Sequence, residues 1–158
     1  MLYKGVLLGL LLVSQLTFAD SSEIYLLGEF TYKGTPISKA VLLEDKRVTE
    51  LEQCRDFVHY QIRGTERGKN YYRHYIRAQK TGVNIVPRYT CIQTRMKVSE
   101  WNDHDFYDKV YLIDLRDGLQ FTRFEDTNSC WAEIRKDPDK HTKQLFCAKM
   151  SQTVSAAK

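Results

Sequence analysis

Arg47-Val48-Thr49-Glu50-Leu51-Glu52-Gln53-Cys54-Arg55-Asp56-Phe57-Val58 recurs in outline as Arg123-Phe124-Glu125-Asp126-Thr127-Asn128-Ser129-Cys130-Trp131-Ala132-Glu133-Ile134, at a constant offset of 76. An arginine, a large apolar residue, a cysteine and a closing β-branched residue stand in register. Each stretch follows strand-like sequence, and each is followed by a second cysteine in another strand-like segment, Tyr89-Thr90-Cys91-Ile92 and Leu145-Phe146-Cys147-Ala148. Upstream, Tyr25-Leu26-Leu27 is echoed by Tyr111-Leu112-Ile113. The chain reads as two copies of one unit, a strand, a helix bearing a Cys and a strand bearing a Cys, over residues 23–98 and 105–150.

Four cysteines in an exported chain imply two disulfides, and four allow three connectivities. The repeated unit favours Cys54–Cys91 and Cys130–Cys147, each bridge tying a helix to the strand it packs on. Local signals agree. Thr49-Glu50-Leu51-Glu52 has the form of a capping box and predicts a helix starting at Thr49. Leu51, Cys54, Val58 and Ile62 then share one face. Asp126 or Thr127 caps the second helix, which buries Cys130 and Ile134 and stops before Pro138. Trp131, beside the second bridge, is expected to fill core space rather than form a ligand platform.

Ile24, Leu26, Phe30 and Tyr32 alternate along a strand, and Lys33-Gly34 turns the chain into a second strand over 37–43. Tyr107, Tyr111, Ile113 and Leu115 are expected on one face of a later strand. A two-residue Asp117-Gly118 turn would put its apolar set and that of the next strand on opposite faces. A three-residue loop with Gly118 in the left-handed region instead pairs Leu115 with Leu119 and Ile113 with Phe121. The expected fold class is α+β: a single disulfide-stabilised domain, an antiparallel sheet with two short helices packed on one face.

The first residues read as a targeting signal. Lys4 supplies a positive start, residues 5–16 are apolar, and Thr17-Phe18-Ala19 offers a cleavage site before Asp20. The apolar run falls short of the roughly 20 residues a transmembrane helix needs. Residues 1–19 are therefore expected to be a signal peptide, residues 20–150 the domain and 151–158 a disordered tail, with no transmembrane segment after cleavage. The mature protein is expected in the periplasm or outside the cell. The absence of an Asn-x-Ser/Thr sequon is compatible with a bacterial source.

The 158 residues are 42% hydrophobic and 28% charged, with 8 Gly and 3 Pro, which is the composition of a globular chain. A mean hydropathy of −0.48 excludes a protein of several membrane spans. No nucleotide-binding loop, zinc quartet or nucleophile elbow is present, and no cofactor is expected. The formal net charge of +4 says little by itself. Its distribution says more: Arg63, Arg67, Lys69, Arg73, Arg77 and Lys80 stand against Glu66 alone.

The same stretch interleaves aromatics with guanidinium groups. As a strand, Lys69-Asn70-Tyr71-Tyr72-Arg73-His74-Tyr75-Ile76-Arg77 places Tyr71, Arg73, Tyr75 and Arg77 on one side, the arrangement that grips nucleic acid, lipopolysaccharide or an acidic protein. As a helix it turns Tyr72, Tyr75 and Ile76 to the core and leaves a solvated basic face. Gly64, Gly68 and Gly82 bracket it, and the longer first Cys-to-Cys spacing, 37 residues against 17, identifies it as an insertion in one copy. Arg63, Arg67, Lys69, Tyr71, Arg73, Tyr75 and Arg77 are the candidate ligand-binding residues.

Trp101-Asn102-Asp103-His104-Asp105-Phe106 is an acidic turn, or the counterpart of that insertion. It lacks the spaced partners a metal site requires, so no metal ligands are assigned. The expected function is a small binding module that recognises a macromolecular partner, a protein or a polyanion including nucleic acid. An inhibitor, an immunity-type protein and an envelope-associated factor all fit. The alternative is a small secreted hydrolase with ribonuclease-like acid/base chemistry drawn from His59, His74, His104 and His141. Nothing in the sequence selects two of these histidines, and no catalytic residue is assigned.

Overall fold

The structure is a computed structural model, and it describes residues 22–61, 84–102, 105–140 and 142–156. Six strands form the main sheet: β1 (Glu23–Tyr32), β2 (Ser38–Glu44), β3 (Ile85–Thr94), β5 (Lys109–Asp114), β6 (Gln120–Phe124) and β7 (Leu145–Met150), in the order β3-β1-β2-β7-β5-β6. Helix α1 (Leu51–Asp56) lies between β2 and β3, and helix α2 (Thr127–Lys136) between β6 and β7. A two-stranded ribbon pairs β4 (Lys97–Val98) with β8 (Val154–Ser155).

Each half of the sheet runs hairpin, helix, strand. In the first, β1 is central between β2 and β3, antiparallel to both; in the second, β5 is central between β6 and β7, again antiparallel to both. The sheet is α+β in class, as expected, but it is not wholly antiparallel. Two units of this kind placed side by side in one orientation bring β2 and β7 together running the same way, and they meet as a parallel pair at Lys39↔Lys149.

That register fixes the faces. Partnered residues in adjacent strands point to the same side, so Val41 and Leu43 face the way of Leu145 and Cys147. Both helices consequently cover one face, over two separate clusters. Ile24, Leu26, Phe30, Val41, Leu43, Cys54, Phe57 and Ile85 pack under α1; Val110, Cys130, Ile134, Leu145 and Cys147 pack under α2. The opposite face joins the halves in a single cluster built from Tyr25, Leu27, Ala40, Leu42, Ile92, Tyr111, Ile113, Phe146, Ala148 and Met150, with Val98 and Val154 of the ribbon packed against it.

The two bridges are Cys54–Cys91 and Cys130–Cys147, with Cα–Cα distances of 5.9 and 6.0 Å. The second helix starts as read: Asp126 caps it, accepting the Ser129 backbone N–H at 2.8 Å. The first does not. Its N-cap is Glu50 with no side-chain cap, and the side chain that reaches back is Gln53, which accepts the Thr49 N–H at 3.0 Å. The helix then widens into a π-helical turn, Phe57–Gln61, so that Cys54 and Phe57 are buried while Val58 is only half-buried.

Both expected tight turns form. Gly34 and Gly118 have φ of +77° and +99°, a region that costs glycine nothing, and Ile113 faces Phe121 as the three-residue loop requires. Tyr107 is a correction: β5 begins only at Lys109, and Tyr107 packs with the α1 cluster while Tyr111 and Ile113 lie on the other face. The tail is another. Ser151 and Gln152 are buried and residues 154–155 pair with β4, because the apolar Val154 and the amide of Gln152 find partners there.

Candidate functional site

The candidate binding residues Arg63, Arg67, Lys69, Tyr71, Arg73, Tyr75 and Arg77 lie outside the described residues, as do His74, Asp103, His104 and His141. The structure does describe both flanks of the basic segment. On one side α1 is held to β3 by Cys54–Cys91. On the other, the carbonyl of Asn84 accepts the Lys33 N–H at 2.9 Å, joining it to the β1–β2 turn. His59 is exposed in the π-helical turn. Of the acidic loop, Asp105 is exposed and Phe106 is 86% exposed, while the Trp101 indole N–H donates to the Tyr107 hydroxyl at 3.2 Å.

Two clefts of several hundred Å³ open among the described residues. The first, of about 490 Å³, opens between the end of β2 and the β4–β8 ribbon, with Tyr25, Glu44, Lys46, Glu100, Trp101 and Gln152 in its walls. The Tyr25 hydroxyl donates to Glu23 Oε2 at 2.5 Å; burial, reinforced by that carboxylate, pushes its pKa well above the ordinary phenol value. This hydroxyl stays protonated at neutral pH and serves structure.

The second, of about 440 Å³, lies at the seam where β2 and β7 splay apart. On the β1–β2 side stand Glu29, Thr31 and Ser38; on the α2 side Asn128, Trp131 and Arg135; Phe146 of β7 closes it. Glu29 is 8% exposed, in a strand whose neighbours are apolar. A buried carboxylate is tolerated only when paired and hydrogen-bonded. Arg88, opposite it on β3, supplies the pair: Nε donates to Glu29 Oε2 at 2.6 Å, and a second guanidinium nitrogen also meets that oxygen. The Thr31 hydroxyl donates to Glu29 Oε1 at 3.2 Å and lies 3.1 Å from Ser38 Oγ.

Arg88 does more than neutralise Glu29. It donates to the carbonyl of Lys143 and its guanidinium carbon sits 5.0 Å from the centre of the Phe146 ring, so it links the first half to the entry of β7. Trp131 makes the reciprocal link. Its indole N–H donates to the carbonyl of Pro36 at 2.9 Å, from α2 to the β1–β2 loop. Trp131 is half-buried: it packs against the cluster under α2, as core filling requires, and it also lines the cavity. The sequence reading also passed over Glu29 and Arg88. The signal was available, as a charged residue at an inward position of an otherwise apolar strand, but its partner lies 59 residues away.

Among the described residues no three His, Cys, Asp or Glu side chains gather to hold a metal ion, and no helix is long and apolar enough to cross a membrane. Paired cysteines of this kind are typical of exported proteins. The fold is that of a disulfide-stapled α+β domain with two similar halves. No family model, curated protein or solved structure matches the chain.

Proposed function

We propose that this is an exported binding module, built by duplication of one strand–strand–helix–strand unit, that recognises an acidic macromolecule through the basic-aromatic segment from Arg63 to Arg77. The observation that carries this reading is an asymmetry. The two halves share their strand order and their helix-to-strand bridge, yet the loop closed by Cys54 and Cys91 spans 37 residues and that closed by Cys130 and Cys147 spans 17. The additional chain carries Arg63, Arg67, Lys69, Arg73, Arg77 and Lys80 against Glu66. Covalent and hydrogen-bonded anchors on both flanks support its use as a presented surface, since fixing the ends of a binding segment lowers the entropy lost on association.

The test uses the oxidised mature protein and a labelled single-stranded RNA oligonucleotide as polyanion. Four or five neutralised phosphates weaken binding roughly 50- to 130-fold between about 50 and 200 mM salt. Replacing Arg73 and Tyr75 with Ala abolishes most of the binding; replacing any one histidine leaves it unchanged. No salt-dependent binding, or binding indifferent to R73A/Y75A, overturns the reading for nucleic acid. Cleavage that disappears with one His→Ala change would replace the binder with a hydrolase.

A further inference from the structure

The seam cavity is lined by described residues and has a chemistry of its own. Its 440 Å³ lies in the range of small-ligand sites. Its aromatic wall is held in place: the Trp131 indole is fixed by its bond to Pro36, and Phe146 is buried beneath the guanidinium of Arg88. An anchored ring presents a flat apolar face with little orientational entropy to lose.

The polar groups are of two kinds. Glu29 is already neutralised by Arg88, so it offers residual acceptor capacity rather than a free negative charge. That favours a hydroxyl over an ammonium group. Ser38 and Thr31 add hydroxyls beside it. On the opposite wall, the exposed Arg135 has no hydrogen-bond or ion-pair partner among the described residues, and it is the uncompensated charge of the cavity. Asn128 beside it adds an amide with both donor and acceptor. An aromatic platform, a neutralised carboxylate with hydroxyls on one side and a free guanidinium on the other match a ligand with a C–H-rich ring face, several hydroxyls and one carboxylate.

We propose that the seam cavity binds a hexuronate-type sugar, its ring against Trp131, its hydroxyls toward Glu29 and Ser38 and its carboxylate on Arg135. The site exists only where the halves meet, because β1 supplies the acid, β2 the Ser38 hydroxyl, α2 the base and the indole, and β7 the floor, while Arg88 of β3 neutralises the acid from behind.

The experiment follows the indole N–H signals of the ¹⁵N-labelled, oxidised chain during titration with D-glucuronate, D-glucose or acetate. The chain has 2 Trp, and W101F assigns the pair. The expected result is a saturable shift of the Trp131 signal by glucuronate at millimolar concentration, a response about tenfold weaker to glucose, and none to acetate. R135Q lowers glucuronate affinity to that of glucose without moving the melting temperature. A Trp131 signal unmoved by glucuronate, or moved equally by acetate, overturns the proposal; so does an R135Q variant that binds glucuronate as well as the parent.

Discussion

Gln152 is 2% exposed, and its side-chain amide is bonded as a backbone amide would be: Oε1 accepts the Leu42 N–H at 2.7 Å, while Nε2 donates to the carbonyls of Leu42 and Ser99 at 2.8 and 2.9 Å. Leu42 needs this because β7 pairs with β2 at Lys39 alone, leaving the outer N–H and C=O of Leu42 without a strand. Gln152→Leu preserves bulk but orphans those buried groups, and is expected to cost about 2–4 kcal/mol in urea unfolding. The Glu29–Arg88 pair behaves differently. Glu29→Leu strands a guanidinium that is one-third exposed, so the loss should fall at the low end for a broken buried pair, about 3 kcal/mol. The double change E29L/R88M should recover much of it, a pattern a double-mutant cycle reads directly.

At the scale of elements, the turn after β5 is clamped to the end of α2 by one side chain. Arg116 Nε and Nη2 bond the carboxylate of Asp114 at 2.9 and 2.6 Å, and Nη1 and Nη2 bond that of Asp137 at 3.0 Å each. The guanidinium holds both carboxyls below the usual range, and the Ser129 N–H does the same for the helix cap Asp126. Groups whose folded pKa is depressed bind more protons in the unfolded chain as pH falls. The stability they contribute is therefore present above the ordinary carboxylate value near about 3.9 and is lost as pH drops through their lower folded values. R116Q should flatten the fall of the melting temperature below about pH 4, leaving the contribution of Asp126 intact. An acid profile identical to the parent's would show that the clamp adds nothing.

These elements also show where local signals suffice. Asp126, three residues before Ser129 and twelve before Pro138, contains both ends of α2 in a dozen positions. The first helix has no such closure. Thr49 and Glu52 have capping-box chemistry, but Gln53 competes for the same N–H and the burial of Phe57 draws the chain into a wider turn, which no spacing announces.

For the whole molecule, each half carries its own bridge, helix and helix-side cluster, and the halves are fused by the opposite face. Chain entropy credits each bridge with about 3–4 kcal/mol and separates loops of these lengths by only about 0.7 kcal/mol. C54A/C91A and C130A/C147A should thus lower unfolding free energy by similar amounts, a large share of the 5–15 kcal/mol typical of a domain. A much smaller loss in one pair would mean that its half is held chiefly by packing across the seam. The cysteine pairing, the α+β class and the Ile113–Phe121 register were legible in the chain because spacing, caps and the period of two act over a few residues. The seam was not. The parallel β2–β7 contact, the substitution of Gln152 for a strand and the convergence of Glu29, Trp131 and Arg135 on one cavity each join residues far apart in sequence, and only packing the two halves together brings them into one place.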